Sequence, residues 1–263
     1  MSAPLDVEWI STQTDDGRAG FRVGRRGDEL FAEFAGIGLL RAARAGKPNE
    51  FTPVPGADPV IVDKVQSSLV PALLRHIDAK LTLHAAAVEV SEQAIVCFGE
   101  SGAGKSTMAA WLCEHHGARL LGDDTTALEL GTSGALAVPT EACHWLVSGS
   151  SVPDPHGALK SRVVPRARAD KPCRVAAICR LGFDTTLEGP VLRPLEGQDA
   201  LAALVPALIR FVVDEPEALL QELESLLLLK KHVRFFDLVR PPGTQYIDRS
   251  ARALVELAMG ERR

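Results

Sequence analysis

Apolar positions recur with two periods along this chain, and the changes of period mark its elements. Between residues 62 and 80 they fall at Val65, Leu69, Leu73, Leu74 and Ile77, the spacing of a helix with one buried face. Residues 81–90 and 94–98 are then apolar over strand lengths, separated by a polar Ser91-Glu92-Gln93 turn. They predict strands feeding one another through a hairpin. Residues 108–112 open a helix that runs to His115-His116 and stops at Gly117, a C-terminal cap signal. Strands are predicted at 119–122, 175–181 and 233–238. A helical region over 198–229 is broken at Pro206 and at Asp214-Glu215-Pro216, and Asp248 is placed to cap a terminal helix ending near Met259. Upstream, strand-like runs at 20–24 and 30–34 and a Pro-rich patch at 48–59 predict a small β-rich leader over 1–80, packed on a core of 81–263. No repeat is visible. Strands flanked by helices make the fold α/β, or α+β with a mixed sheet.

Bulk properties narrow the function. With 263 residues, 46% of them hydrophobic, the chain buries one good core with a small appendage. A net charge of −5 argues against a nucleic-acid binder held by a general basic surface. The first residues do not form a signal peptide, and no apolar run reaches the roughly 18 residues of a membrane span. Five cysteines (97, 113, 143, 173, 179) without a C-x-x-C pair read as reduced thiols of a cytoplasmic protein. One segment departs from the acidic balance: Lys160, Arg162, Arg166, Arg168, Lys171 and Arg174 stand against Asp170 alone. It is either a solvated loop or one that faces phosphate or an acidic substrate.

The strongest chemical signal is Gly99-Glu100-Ser101-Gly102-Ala103-Gly104-Lys105-Ser106-Thr107. It follows a predicted buried strand and precedes a predicted helix, the context that makes G-x-x-x-x-G-K-[ST] a phosphate-binding loop. The glycines let backbone N–H groups turn toward an anion, and the helix N-terminus adds partial positive charge. Lys105 would reach the outer phosphates and the Ser106 hydroxyl would sit on Mg²⁺. Asp123-Asp124 ends the next strand, 18 residues after Lys105. A helix of about a dozen residues and a return strand bring that end back near the phosphates. There one carboxylate can hold Mg²⁺ and the other can accept the proton of an attacking hydroxyl; the plain alternative is a solvated acidic turn. His84 reads first as a hydrogen-bonded structural histidine. His115 and His116 are explained by the end of their helix, and His144, His156 and His232 have no partner in the sequence.

Leu83-His84-Ala85-Ala86-Ala87-Val88, the glycine loop and Leu120-Leu121-Gly122-Asp123-Asp124 together resemble the HPr kinase-like family, whose catalytic core is similar to that of phosphoenolpyruvate carboxykinase. The resemblance is strong over 81–130 and diffuse from there to about residue 257. It implies a P-loop core with mixed sheets and flanking helices, and ATP on residues 99–107. It also implies Asp123 as proton acceptor, Asp124 at the metal and His84 near the active site. HPr enzymes usually carry Glu where this chain has Thr107. Their R-G-x-G/N signature has no counterpart after the acidic pair, and residues 1–80 stand where they have a large N-terminal domain. The chain looks more like the stand-alone HPr kinase-related proteins, some of which phosphorylate a serine of a lasso-peptide precursor.

The expected activity is therefore an ATP- and Mg²⁺-dependent kinase acting on a serine hydroxyl of a peptide or protein, with Lys105 offsetting charge on the transferred phosphoryl group. Ser106 and Asp124 are expected at Mg²⁺, Asp123 as base, and Arg162 of the basic segment over the γ-phosphate. A kinase for a small hydroxyl metabolite such as free serine, and a regulatory protein that hydrolyses ATP slowly, are the alternatives. GTP, pyrophosphate and polyphosphate stay open as donors, because no base-reading motif is legible. No nucleic-acid or membrane partner is expected. The leucine run 226–229 suits a core or a homo-oligomer interface.

Overall fold

The structure, a computed structural model, describes residues 6–15, 18–43, 48–147, 160–211 and 216–260. The chain divides into two units, Met1–Ile77 with Arg210–Leu219, and Asp78–Ile209 with Leu220–Arg263. In the first, β1 (Glu8–Asp15), β2 (Arg18–Arg26), β3 (Glu29–Phe34), β4 (Gly38–Ala43) and β5 (Glu50–Pro53) pair in sequence order as an antiparallel meander. Val23, Phe31, Ala32, Phe34 and Leu40 are buried. The Phe21 ring lies 4.9 Å from Phe34 and 5.2 Å from Phe211, so the returning segment contributes to this small core. α1 (Pro59–Lys64), a π-helical turn at Val65–Leu69 and α2 (Val70–Ile77) follow without a break. The helix begins ahead of the predicted residue 62 because Asp58 caps it, accepting from Val60 N–H at 2.8 Å, and Pro59 takes the first helical position.

The second unit contains β6 (Thr82–Leu83), β7 (Ala85–Val90), β8 (Gln93–Phe98), α3 (Lys105–His115), β9 (Arg119–Gly122), β10 (Thr126–Gly131), β11 (Gly134–Val138), β12 (His144–Val147) and β13 (Lys160–Val163). β14 (Cys173–Phe183), β15 (Val191–Leu195), α4 (Gly197–Leu204), α5 (Pro216–His232, shared from Leu220 onward), β16 (Arg234–Arg240) and α6 (Ile247–Met259) complete it. Nine strands make one mixed sheet in the order β6-β10-β11-β14-β8-β7-β9, with β16 also on β14 and β15 on β16. β12 and β13 form a separate two-stranded ribbon.

Alternation explains why β7 and β8 read as nearly continuous apolar runs, broken in β7 only by Glu89, whose carboxylate pairs with Arg119. Ala85, Ala87, Ala94, Val96 and Phe98 enter one core with Leu204, Leu226 and Leu229. Ala86, Val88, Ile95 and Cys97 enter a second, with Met108, Leu112, Ala251 and Leu254. Both faces of the strands are buried, so neither alternate set is polar.

Strand direction positions the site. β14 runs parallel to both β8 and β16, and β7 is antiparallel to β8 and to β9. β8, β9, β14 and β16 therefore point their carboxyl ends to the same edge of the sheet. Phe98, Gly122, Phe183 and Arg240 end those strands, and the phosphate loop and the acidic pair begin where two of them stop.

Two expectations are corrected. The predicted strand over 81–90 is interrupted at His84, whose N–H donates to the Ala207 carbonyl (2.6 Å) instead of a sheet partner. Asp248 does not cap the terminal helix: Tyr246 holds that position, and the Asp248 carboxylate in the first turn binds Trp111, His116 and Arg252. The leucine run divides by face, with Leu226 and Leu229 in the core and Leu227 51% exposed. Among the described residues no helix is long and apolar enough to cross a membrane.

All five cysteines are buried and none is in a disulfide. Burial pushes the Cys97, Cys113 and Cys173 thiols up to about 12 and Cys179 well above its ordinary value. None of these four supplies a thiolate near neutrality. A thiol reagent at pH 8 is expected to label almost none of them in the folded protein and all five after denaturation; rapid native labelling would contradict this packing.

Candidate functional site

The phosphate loop turns at three glycines of positive φ: Gly99 (+145°), Gly102 (+84°) and Gly104 (+87°). Two are also held by close approach. A Cβ on Gly99 would lie 2.6 Å from the Leu181 carbonyl oxygen, and one on Gly104 would lie 2.7 Å from Arg240 Nη2. α3 begins at Lys105, with no side-chain cap and no acid in its first turn. Its leading amides have no intrahelical acceptor, and the helix dipole adds positive character there. The protein thus leaves this terminus open for an anion. Lys105 is buried, and its Nζ donates to the carbonyls of Gly99 (2.9 Å) and Glu100 (3.2 Å), which holds the ammonium under the loop. Ser106 is partly buried; Glu100, Ser101 and Thr107 are exposed, and Ala103 packs into the core.

Gly104→Ala places a side chain at a left-handed φ, which costs about 1–2 kcal/mol, and drives it into Arg240. Lower melting temperature and weaker triphosphate binding are expected together, measured by thermal shift with and without ATP. An unchanged ATP-induced shift would show that the loop tolerates the methyl group.

Arg240 was not found from the sequence. It ends β16, is 4% exposed, and its guanidinium lies 4.6 Å from the Phe183 ring centroid. Its Nε and Nη1 have no hydrogen-bond partner, and burial lowers its pKa from the ordinary value. Arginine stays charged even so. A buried cation with idle donors is costly unless an anion meets it, and its Nη2 adjoins the phosphate loop. The only local signal was an arginine closing an apolar strand before Pro241-Pro242, outside every basic cluster.

The acidic turn is built differently from the loop. Asp123 has no exposed surface. Its N–H donates to Glu141 Oε2 (2.8 Å), and its Oδ2 accepts from Trp145 N–H (2.7 Å). Oδ1 has no hydrogen-bond partner. Glu141 Oε1 also accepts from the Thr125 hydroxyl (2.9 Å), and the Thr140 hydroxyl donates to the Thr125 carbonyl (2.8 Å). Residues 140–145 thus clamp the turn from one side. His144 is buried there, with its Nδ1 3.8 Å from Asp123 Oδ2 and neither ring nitrogen hydrogen-bonded. Asp124 holds φ at +84°, a strained value for a non-glycine residue. His84 Nδ1 donates to the Asp124 carbonyl (3.0 Å) and lies 3.7 Å from its Oδ1, so His84 and Asp124 come together although 40 residues separate them.

The basic segment does not act as one patch. Arg162, on β13, is paired in register with Trp145, the residue whose N–H holds Asp123. Arg166 lies 3.8 Å from Glu114, near the far end of α3, and Arg168 bridges to Leu120 on β9. Arg174 is in register with Gln93 at the start of β8, the edge opposite the phosphate loop. The Gly-, Ser- and Pro-rich start of the segment, 148–159, lies outside the described residues. Among the described residues no group of three or more His, Cys, Asp or Glu is placed to hold a metal. Mg²⁺ held by one or two protein oxygens together with substrate phosphates needs no such group. Asp124, partly buried beside a carboxylate with an idle oxygen, fits that requirement.

Fold and site define a mixed α/β protein with a glycine-rich G-x-x-x-x-G-K-S loop at the carboxyl edge of its sheet. No protein-family profile matches the chain, and no curated protein does. Its structure is similar to that of the HPr(Ser) kinase/phosphatase from Coxiella burnetii, at 14% sequence identity and a TM-score of 0.37, over 69% of this chain and 95% of that one.

Proposed function

We propose that this protein is an ATP- and Mg²⁺-dependent kinase that transfers the γ-phosphoryl group to a serine hydroxyl of a peptide or protein, a ribosomal natural-product precursor among the candidates. The observation that carries the reading is one sheet edge bearing the phosphate loop, the buried Arg240 and the Asp123-Asp124 turn. Backbone N–H groups of residues 100–106 bind the phosphates, with Lys105 and Arg240 offsetting negative charge as it shifts toward the leaving diphosphate. Ser106 and Asp124 would hold Mg²⁺, which would supply charge neutralisation to the bound phosphates.

The serine oxygen attacks phosphorus in line, its proton passes to the Asp123 carboxylate, and the bond to the ADP oxygen breaks. Asp123 is gripped through Oδ2 and its backbone, which leaves Oδ1 for that proton. Oδ1 is covered as the turn stands, so acceptor binding must shift residues 123–125, and the strained Asp124 is the pivot. His84 steadies that pivot through the Asp124 carbonyl. The acceptor class is supported by the motif resemblance and by exposed Arg162 beside Trp145, which suits an acidic peptide.

Mass spectrometry of serine-containing peptides incubated with the protein, ATP and Mg²⁺ tests this. One added phosphate on serine, lost with Asp123→Asn, is expected. Phosphorylation of free serine alone would move the reading to a small-molecule kinase. ATP hydrolysis without any phosphorylated acceptor would overturn it.

A further inference from the structure

One cavity at the carboxyl edge adjoins the phosphate loop on the side away from the acidic turn. Its volume is about 520 Å³, and it is walled by residues 99–103 of the phosphate loop, 180–183 at the end of β14, and Asp237 and Val239 of β16. Sheet order fixes its side. β8 carries the loop; β7 and β9, with the acidic turn, lie to one side of it, and β14 and β16 lie to the other. A polyphosphate laid across the loop with its outermost phosphate toward Asp123-Asp124 runs its other end toward β14 and β16. In a nucleoside triphosphate that end carries the sugar and base.

Two features of the wall suit a base. Phe183 is 47% exposed although it ends a strand that is otherwise mostly buried. Its ring has the Arg240 guanidinium 4.6 Å from the centroid, which ties it to the loop through Gly104. A large aromatic ring left open beside a phosphate site is a stacking platform. Arg180 and Asp237, joined by two hydrogen bonds of 2.6 Å, form a fixed polar side to the same cavity. The volume lies in the range of small-ligand sites.

We infer that this cavity seats the base of the phosphoryl donor, stacked on Phe183. The inference rests on the reading of the loop as a nucleotide site and is independent of the acceptor. It excludes pyrophosphate and polyphosphate as preferred donors, because neither would use this surface.

Calorimetric titration of the wild type, Phe183→Ala and Phe183→Tyr with ATP and with inorganic tripolyphosphate, both in Mg²⁺, tests it. Phe183→Ala should weaken ATP by about tenfold or more and leave tripolyphosphate unchanged within about twofold. Phe183→Tyr should keep the wild-type ATP affinity, and equal melting temperatures of all three proteins check the fold. The base seat is overturned if the wild type binds tripolyphosphate as tightly as ATP, or if Phe183→Ala weakens both alike, in which case the ring only braces Arg240. It falls too if neither ligand binds the wild type. The expected pattern without any phosphorylated acceptor would leave the seat standing and remove the kinase reading.

Discussion

Arg240→Met is expected to lower phosphoryl transfer by about 10²–10³ and to weaken ATP binding, without destabilising the fold. The two effects separate for a physical reason. Nε and Nη1 of Arg240 have no partner in the protein, so removing the guanidinium breaks no internal hydrogen bond at those atoms. It removes a buried charge whose desolvation opposes folding. Methionine fills much of the same space against Phe183 and Gly104, and a thioether packs well on an aromatic ring. The melting temperature should therefore hold or rise while kcat/KM collapses. A steep loss of stability with unchanged ATP affinity would make Arg240 a structural residue and remove the anion from the argument.

Asp123→Asn should reduce transfer by about 10²–10⁴ while ATP still binds. The amide keeps the shape of the carboxylate, and its oxygen can still accept from Trp145 N–H. Because the Asp123 backbone N–H is held separately by Glu141, the turn keeps its anchor. What is lost is the carboxylate proposed to take the acceptor proton. Asp124→Asn provides the contrast: with Asp124 as the proposed Mg²⁺ ligand, the substitution should raise the Mg²⁺ concentration needed for activity, and excess Mg²⁺ should partly restore the rate. Single-turnover rates against Mg²⁺ concentration distinguish the two. Rescue of Asp123→Asn by Mg²⁺, with none for Asp124→Asn, would exchange the assigned roles.

What the sequence reveals here follows the distance over which each contact is made. The phosphate loop is contiguous, so residues 99–107 were legible with the strand before them and the helix after. Helix ends marked by Gly117 were legible for the same reason, since a positive φ of +67° there is a local demand. Arg240 and Phe183 were not, because only the parallel pairing of β14 with β8 and β16 carries them to the loop. Asp248 was misplaced by two positions because a distant pair, Trp111 and His116, claims its carboxylate. Glu141 and His144 gave no signal: a buried polar residue in a short connection looks the same in sequence as an exposed one. Of the leader, runs at 20–24 and 30–34 found β2 and β3. β1, β4 and β5 were missed, since short meander strands with mixed polar faces barely rise above the loop background.

The convergence of four strand ends at one edge also bears on how this protein acquires its site. The glycine loop is written in nine consecutive residues, but Arg240 joins it only after β16 has docked on β14, far along the chain. Contacts of such high sequence separation are the slow part of folding, because the loop entropy is lost before they form. A nascent chain or a fragment ending before β16 would carry the loop without its buried cation. Under the proposed function, full-strength nucleotide binding would report completion of the sheet. Linkage would then make the nucleotide stabilise the finished fold over every partial one, so ligand occupancy and resistance to unfolding should rise together.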